Sequence, residues 1–189
     1  MRNSECGILS SSLDSEFRIP NSELNRRWHK LNIGDIVVYT MHGAGIIYSI
    51  EDSEIGGMIK SYYILKLPIG NLKLMLPVDN IDQLGLRDVI DKDKLDKVAM
   101  VLKEKPEHSE GSWNKRFQAT LDRMKSGDIL DVAAVARNLS LQYRKRKISS
   151  GERRLMELSR QILISELVYA CEKTPEEVTD WIDCIIGVK

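Results

Sequence analysis

The hydrophobic pattern of the chain changes its period once, near Arg87, and this change restricts the fold more than any other feature. Before it, short β-branched and aromatic runs are separated by Gly and Pro; after it, apolar side chains recur every three or four residues. The first pattern is typical of strands and the second of amphipathic helices. Because the two kinds of element are segregated, we expect an α+β protein rather than an alternating α/β enzyme fold.

The segment before the change of period is predicted to form a small sheet. Its strands are expected at residues 33–40, 45–51, 58–67 and 72–76, with turns at residues 42–45, 56–57 and 68–71. Short strands with Gly-marked turns indicate a small antiparallel barrel or a curled sheet. Residues 42–45 (HGAG) could also be a phosphate-binding loop. They join two strands, however, and lack the Lys-Ser/Thr pair and the following helix of such a loop, so a hairpin turn is favoured.

The segment after the change of period is predicted to be helical. Helices are expected at residues 91–103, 113–125, 128–147, 150–172 and 175–186. Ser149 and Glu152 have the spacing of a capping box, and Thr174 precedes a Pro and two acids that suit a helix start. We therefore divide the chain into a Ser-rich, flexible N-terminal extension (residues 1–30), a β domain (31–88) and a helical domain (89–189). Residues 104–112 are expected to be a hinge or loop.

Charge and cysteine content narrow the class of protein. The 189 residues have a formal net charge of zero, but residues 113–160 hold 12 basic and 5 acidic side chains. A net charge of +7 in one segment suggests contact with a polyanion or a solvated face. Cys6, Cys171 and Cys184 form no disulfide pattern, and no apolar run has the length of a membrane span. We expect a cytoplasmic protein.

No group of residues in the sequence suggests catalysis. His29, His42 and His108 are isolated from one another, and no G-x-S-x-G or HExxH motif occurs. The acids Asp91, Asp93 and Asp96 lie near a helix start, where they complement the helix dipole, so a capping role is favoured over a metal site. An enzyme that used the sheet surface would need a pocket with convergent titratable groups. We expect no enzymatic activity, no cofactor and no metal.

Trp113 and its basic neighbours suggest binding to nucleic acid. Trp113 follows a loop and precedes Lys115 and Arg116, so its indole either packs on the helical core or stands out as a wedge for distorted DNA. Residues 144–147 (RKRK) suit a helix C-terminus. Arg153 and Arg154 oppose the dipole at a helix start, which an external anion would explain.

Several short motifs follow one another in a definite order and spacing between residues 31 and 170. They are Gly34-Asp35-x-Val37-Val38-Tyr39, His42-Gly43, Ile55-x-Gly57, Tyr62–Leu67, Val78 after Pro77, Leu86-Arg87-Asp88-Val89, Trp113-x-x-Arg116, Ser126-Gly127-Asp128, Val132-Ala133-x-Val135-x-Arg137-x-Leu139, Ser149-x-Gly151-Glu152-x-Arg154 and Gln161-Ile162-Leu163-x-x-Glu166-Leu167. No single motif is specific, but together they cover about three-quarters of the chain, and their order and spacing resemble the CarD/CdnL family of bacterial transcription regulators.

The resemblance implies a regulator that catalyses no chemical reaction. A small Tudor-like antiparallel β-barrel domain would bind the RNA polymerase β subunit, in part by pairing strand edges. An all-helical C-terminal domain would contact promoter DNA at the upstream edge of the bubble and stabilise the open complex, so that the protein is nucleoid-associated through the polymerase. The implied DNA-binding residues are Trp113, Lys115, Arg116, Arg153 and Arg154. The implied polymerase-binding residues are Ser53, Glu54, Ile55, Leu74, Met75 and Leu76.

The sequence departs from the family pattern at four positions. Ser53 and Met75 fall where relatives can present arginines to polymerase, and Gln118 and Gln142 fall where relatives can carry DNA-facing cations. The glutamines leave a second hypothesis open, in which the chain is a protein–protein adaptor of the transcription machinery with little or no DNA contact. The sequence leaves open whether the chain is a monomer or a domain-swapped dimer.

Overall fold

The computed structural model describes residues 31–70, 72–106, 112–145 and 148–187. The predicted N-terminal extension lies outside these ranges. Within them the chain forms a five-stranded antiparallel sheet followed by five α-helices, which confirms the predicted α+β class. The strands are β1 (Ile36–Tyr39), β2 (Gly43–Ile55), β3 (Met58–Lys66), β4 (Lys73–Pro77) and β5 (Leu86–Arg87), in the order β4-β3-β2-β1-β5. A 3-10 helix, Val78–Gln83, connects the two edge strands β4 and β5.

The turn predicted at residues 42–45 is displaced toward the N-terminus. Gly43 and Gly45 belong to β2, and the chain turns at residues 40–42. The two glycines are required by close packing. A Cβ at Gly43 would lie 2.2 Å from Ser165 Oγ, and one at Gly45 would lie 2.7 Å from the Lys66 carbonyl oxygen. The predicted turn at Gly56 and Gly57 is confirmed, and both residues have positive φ.

Strands β2 and β3 extend beyond the rest of the sheet as a hairpin. Strand β1 pairs with β2 only from Gly43 to Ile46, and β4 pairs with β3 only from Tyr62 to Lys66. A shift of register between Ile47 and Ser49 leaves Tyr48 unpaired at a bulge. The outer part of the hairpin, residues 49–55 of β2 and 58–61 of β3, therefore has backbone edges that no neighbouring strand of the described sheet covers.

The helices follow the predicted ranges closely. They are α1 (Lys92–Lys103), α2 (Trp113–Lys125), α3 (Ile129–Lys145), α4 (Ser150–Cys171) and α5 (Pro175–Ile186). Both capping boxes form, at the starts of α4 and α5. Apolar side chains from all five helices make one core, and a separate core fills the inner face of the sheet. Among the described residues, no helix is long and apolar enough to cross a membrane.

The sheet and the helices are joined by polar contacts to α4. The Arg87 guanidinium binds the Glu166 carboxylate with two contacts, at 2.5 and 2.8 Å, and Glu166 is fully buried. The Ala44 amide donates to Ser165 Oγ at 2.9 Å. Since Arg87 and Ala44 lie in β5 and β2, two separate strands are fixed to one helix. The sheet therefore has a defined orientation relative to the helices.

Candidate functional site

The N-termini of α2 and α4 meet at an indole ring. Trp113 is the first residue of α2, and its Nε1 donates to Oγ of Ser149 at 3.2 Å. The ring stacks on Phe117 with 5.2 Å between centroids. Gly151 allows α4 to come close, because a Cβ there would lie 3.1 Å from Phe117 and 3.7 Å from Trp113. Among the described residues, one hydrogen bond and one ring contact hold the indole.

Trp113 combines the two arrangements considered from the sequence. One face of the ring packs on Phe117, yet 44% of the residue is exposed to solvent. A side chain that is both oriented by neighbours and open to solvent can meet a partner with little loss of rotamer freedom. The arrangement is therefore suited to binding, whereas a core tryptophan would be covered.

Ser149 has two roles at this position. Its Oγ caps α4 by accepting from the Glu152 amide at 3.2 Å, and the Glu152 carboxylate accepts from the Ser149 amide at 2.9 Å. Burial raises the pKa of Glu152, but hydrogen bonds from Ser149 and Gln142 and the charge of Arg116 outweigh it, so the pKa lies below its ordinary value. Glu152 therefore stays ionised, and the cap that holds the indole is a charged one.

Four cationic side chains lie at the starts of the two helices that meet at the indole. None of the described residues in the first turn of α2 is acidic, and the Ser112 side chain makes no capping hydrogen bond within the described structure. The amide groups at this helix start therefore favour an anion. Lys115, Arg153 and Arg154 are exposed, whereas Arg116 is half-buried. All five predicted DNA-binding residues thus lie in the first two turns of two helices that meet at Trp113.

Arg153 has two contacts with neighbouring side chains of the described structure. Its Nε lies 3.1 Å from the Glu157 carboxylate, and its guanidinium carbon lies 5.7 Å from the centre of the Tyr143 ring. Both members of the ion pair are more than half exposed. An exposed pair of this kind adds little stability and is readily exchanged for an external anion. Arg153 therefore remains available to a phosphate.

Gln118 and Gln142, at which the sequence departs from the family pattern, make intramolecular contacts. Gln118 Nε2 donates to Asp122 at 2.9 Å, and Gln142 Nε2 donates to Glu152 at 3.4 Å. Gln142 thus supports the charged cap of α4. Neither contact adds a cation to the surface around the indole, which depends on α2 and the start of α4 for its charge.

The predicted polymerase-binding residues lie at two places in the sheet. Ser53 and Glu54 lie in the projecting hairpin, as does Ile55, whose side chain is outside the description. Leu74, Met75 and Leu76 lie in β4, which is an edge strand. The side chains alternate along β4, because Met75 is 51% exposed whereas Leu76 is 2% exposed. The Leu76 side chain packs in the core of the sheet, and the role of Leu76 in polymerase binding stays a prediction.

The contact of Trp113 with Ser149 could not be found from the sequence. The capping-box pattern marks Ser149 as a helix start, but the two residues are 36 positions apart. No local pattern encodes a pairing at that separation. Only the packing of α2 against α4 brings the indole to the cap.

Two family models match consecutive parts of the chain. A family model described as the CarD-like/TRCF RID domain matches residues 31–90, and one described as the CarD C-terminal domain matches residues 97–183. The YdeB protein of Bacillus subtilis, which is named as a transcription factor, is 31% identical over 71% of this chain and 88% of its own length. The transcription-repair-coupling factor of Staphylococcus aureus is 27% identical over 84% of this chain, but the match spans only 12% of that factor.

Proposed function

The chain belongs to the CarD family of transcription factors, and on that premise we propose that it stabilises the promoter open complex. The sheet would bind RNA polymerase at its β subunit, and the starts of α2 and α4 would bind promoter DNA at the upstream edge of the bubble. The protein would act in the cytoplasm, associated with the nucleoid through polymerase. The observation that carries the proposal is the half-exposed indole of Trp113, fixed by Ser149 between cationic helix starts.

The proposed mechanism is a shift of an equilibrium and involves no bond-making step. An aromatic wedge beside phosphate-binding cations binds unstacked, widened DNA more tightly than a regular duplex. A ligand shifts an equilibrium only by its differential affinity for the two states. Because Trp113 is already oriented by Phe117 and Ser149, little of that difference is lost in ordering the ring.

The free edge of β4 is the proposed route to polymerase. The Leu67 amide donates to the Leu72 carbonyl, so the ladder bonds between β3 and β4 fall at Leu74 and Leu76. The amides of Lys73 and Met75 then point away from the sheet. An extended segment of polymerase could pair with these groups by adding a strand.

The DNA half of the proposal is tested with Trp113→Ala in a promoter-opening assay with purified polymerase. Stacking on an aromatic side chain is worth about 1–3 kcal/mol, so the concentration for half-maximal opening should rise about fivefold or more. The matched control is Trp181→Ala in α5, far along the chain from the cationic helix starts, which should change stability and leave opening unchanged once folded protein is counted. Full activity of the Trp113 variant would refute the wedge.

The polymerase half is tested at the sheet edge. Met75→Pro removes one outward amide and leaves the ladder bonds of β4 in place, while Met75→Ala shortens the same side chain and keeps the amide. The proline variant should bind polymerase at least severalfold more weakly than the alanine variant. Equal binding would show that this edge pairs with nothing.

The adaptor hypothesis is separated from this proposal by salt. Contacts with phosphates release counterions, so binding to promoter DNA should weaken steeply as salt rises. An adaptor with no DNA contact predicts the same affinity for polymerase with and without the promoter. Measuring both complexes at two salt concentrations decides between the two functions.

A further inference from the structure

Two lysines face each other across β3 and β4. Lys66 and Lys73 are directly paired in the register of the two strands. Their neighbours Leu65 and Leu74 belong to the core of the sheet, so the lysines lie on the opposite, outer face. This pair is also of the non-hydrogen-bonded type, in which facing side chains come closest. The two lysine side chains are therefore direct neighbours on one face of the sheet, where Lys73 is exposed and Lys66 is half-buried.

Tyr48 lies beside both lysines. The Lys66 and Lys73 Nζ atoms are 5.6 and 5.1 Å from the centre of its ring. Tyr48 is the residue at the bulge of β2, and it is 55% exposed. The negative face of the ring attracts both cations and so offsets part of their repulsion. The bulge therefore places the Tyr48 ring within reach of both ammonium groups.

Within the described chain, no carboxylate offsets the repulsion between Lys66 and Lys73. No ion pair among residues 31–70, 72–106, 112–145 and 148–187 includes Lys66 or Lys73. Like charges directly opposite each other in a sheet are destabilising. An arrangement that lowers the stability of the free protein is expected where a partner supplies the missing counter-charge.

The surroundings of the lysines suit a polypeptide. Met75 follows Lys73 by two residues on the outer face and is 51% exposed. A cationic and an apolar side chain are therefore neighbours on this face of β4. The outward amides of the same strand can hydrogen-bond only to a partner that offers backbone carbonyls in register. Nucleic acid has no such ladder of groups, and the proposed DNA surface lies at the starts of α2 and α4.

We propose that Tyr48, Lys66 and Lys73 form a site for the carboxylates of an acidic polypeptide segment that pairs with β4. The inference rests on the proposed function, in which that segment belongs to RNA polymerase. The added strand would place an acidic side chain beside Lys73 and an apolar one beside Met75. The tyrosine ring keeps both ammonium groups over the site before the partner arrives.

The test compares variants that remove equal charge from two surfaces. Lys66→Gln/Lys73→Gln changes the proposed site, and Lys92→Gln/Lys97→Gln changes two exposed lysines of α1. Binding of the full chain to purified polymerase is measured at low and high salt. The sheet variant should bind about three- to tenfold more weakly at low salt, with the difference shrinking at high salt. The α1 variant should bind like the wild type.

A single charge reversal gives opposite effects on binding and stability. Lys73→Glu would turn the repulsive pair into an attractive one, so the free protein should unfold at a higher urea concentration than the wild type. The same change should weaken polymerase binding more than the double glutamine variant, because it repels the acidic segment. A rise in stability together with a loss of binding supports the site.

Three results would overturn the inference. The first is equal polymerase binding by the wild type and the Lys66→Gln/Lys73→Gln variant, which leaves the proposed function standing. The second is weaker binding of this variant to a promoter fragment without any change toward polymerase, which assigns the lysines to nucleic acid. The third is a wild type that does not bind polymerase, which refutes the proposed function together with the inference.

Discussion

Substituting Ser149 by Ala tests whether a helix cap also sets the position of the indole. The Ser149 hydroxyl accepts from the Glu152 amide, donates to the Glu152 carboxylate at 2.8 Å and accepts from Trp113 Nε1. Its removal therefore has two separate effects. The helix loses its cap, and the indole loses the hydrogen bond that orients it.

The two effects have different sizes and different measurements. Loss of an N-cap costs about 1 kcal/mol of stability, with a range of about 0.5–2. Loss of the indole hydrogen bond costs about 0.5–1.5 kcal/mol of preorganisation, which corresponds to about a two- to tenfold weaker effect on promoter opening. Urea unfolding reports the first effect, and the concentration for half-maximal opening reports the second.

Thr174→Ala is the matched control. Thr174 caps α5 in the same way, since its Oγ1 accepts from the Glu177 amide at 3.2 Å and its own amide donates to the Glu177 carboxylate at 2.9 Å. No aromatic side chain in the described structure bonds to this cap. We expect similar losses of stability in the two variants and weaker opening only for Ser149→Ala. Equal opening activity, at matched folded fraction, would refute the coupling of cap and indole.

Three further predictions concern stability, measured by urea unfolding. Arg87→Ala leaves the buried Glu166 carboxylate without its main partner, so it should cost about 2–4 kcal/mol, the lower end reflecting the partial exposure of Arg87. Folding lowers the pKa of Glu152 below its ordinary value of 4.5. The contribution of Glu152 to the free energy of unfolding is therefore complete above pH 4.5 and is lost as the pH falls through the folded pKa. The stability advantage of the wild type over Glu152→Gln should shrink below pH 4.5. Gly43→Ala, at φ +107° against α4, should cost at least about 2 kcal/mol, whereas Gly56→Ala, at φ +64° in open space, should cost about 1 kcal/mol. A stable Arg87 variant, a pH-independent difference or equal glycine costs would contradict the respective prediction.

The element types could be predicted because they depend on local pattern. The period of the apolar residues predicted the observed limits of α2, Trp113–Lys125. The two capping motifs predicted where α4 and α5 begin. Strand β5 and the 3-10 helix Val78–Gln83 were not predicted as elements. Both are short, and β5 exists because Leu86 and Arg87 pair with β1, a contact that local sequence does not encode.

The error at the two glycines of β2 has a long-range cause. Gly43 and Gly45 look like turn residues, since a pair of glycines usually supplies backbone freedom. Their true constraint is the approach of α4 and β3, which lie far along the chain. Along β4, by contrast, alternation is a local property, and it places Leu76 and Met75 on opposite faces of the strand.

The candidate site could be predicted in its composition and not in its geometry. The cations and Trp113 stand out in the sequence by their placement at helix starts. The bond to Ser149 and the Tyr48–Lys66–Lys73 group depend on packing and strand register. Both arise between residues from different elements, so a reading of one segment at a time does not reveal them.

The anchoring of two strands to α4 has a mechanical consequence. Arg87 is ion-paired with Glu166, and the Ala44 amide is hydrogen-bonded to Ser165. The sheet and the indole are therefore held at a fixed distance from each other. On the proposed function, polymerase and DNA must then come to the protein at one spacing and one angle. Promoters would differ in their response according to how easily their own DNA bends or unstacks to reach that position.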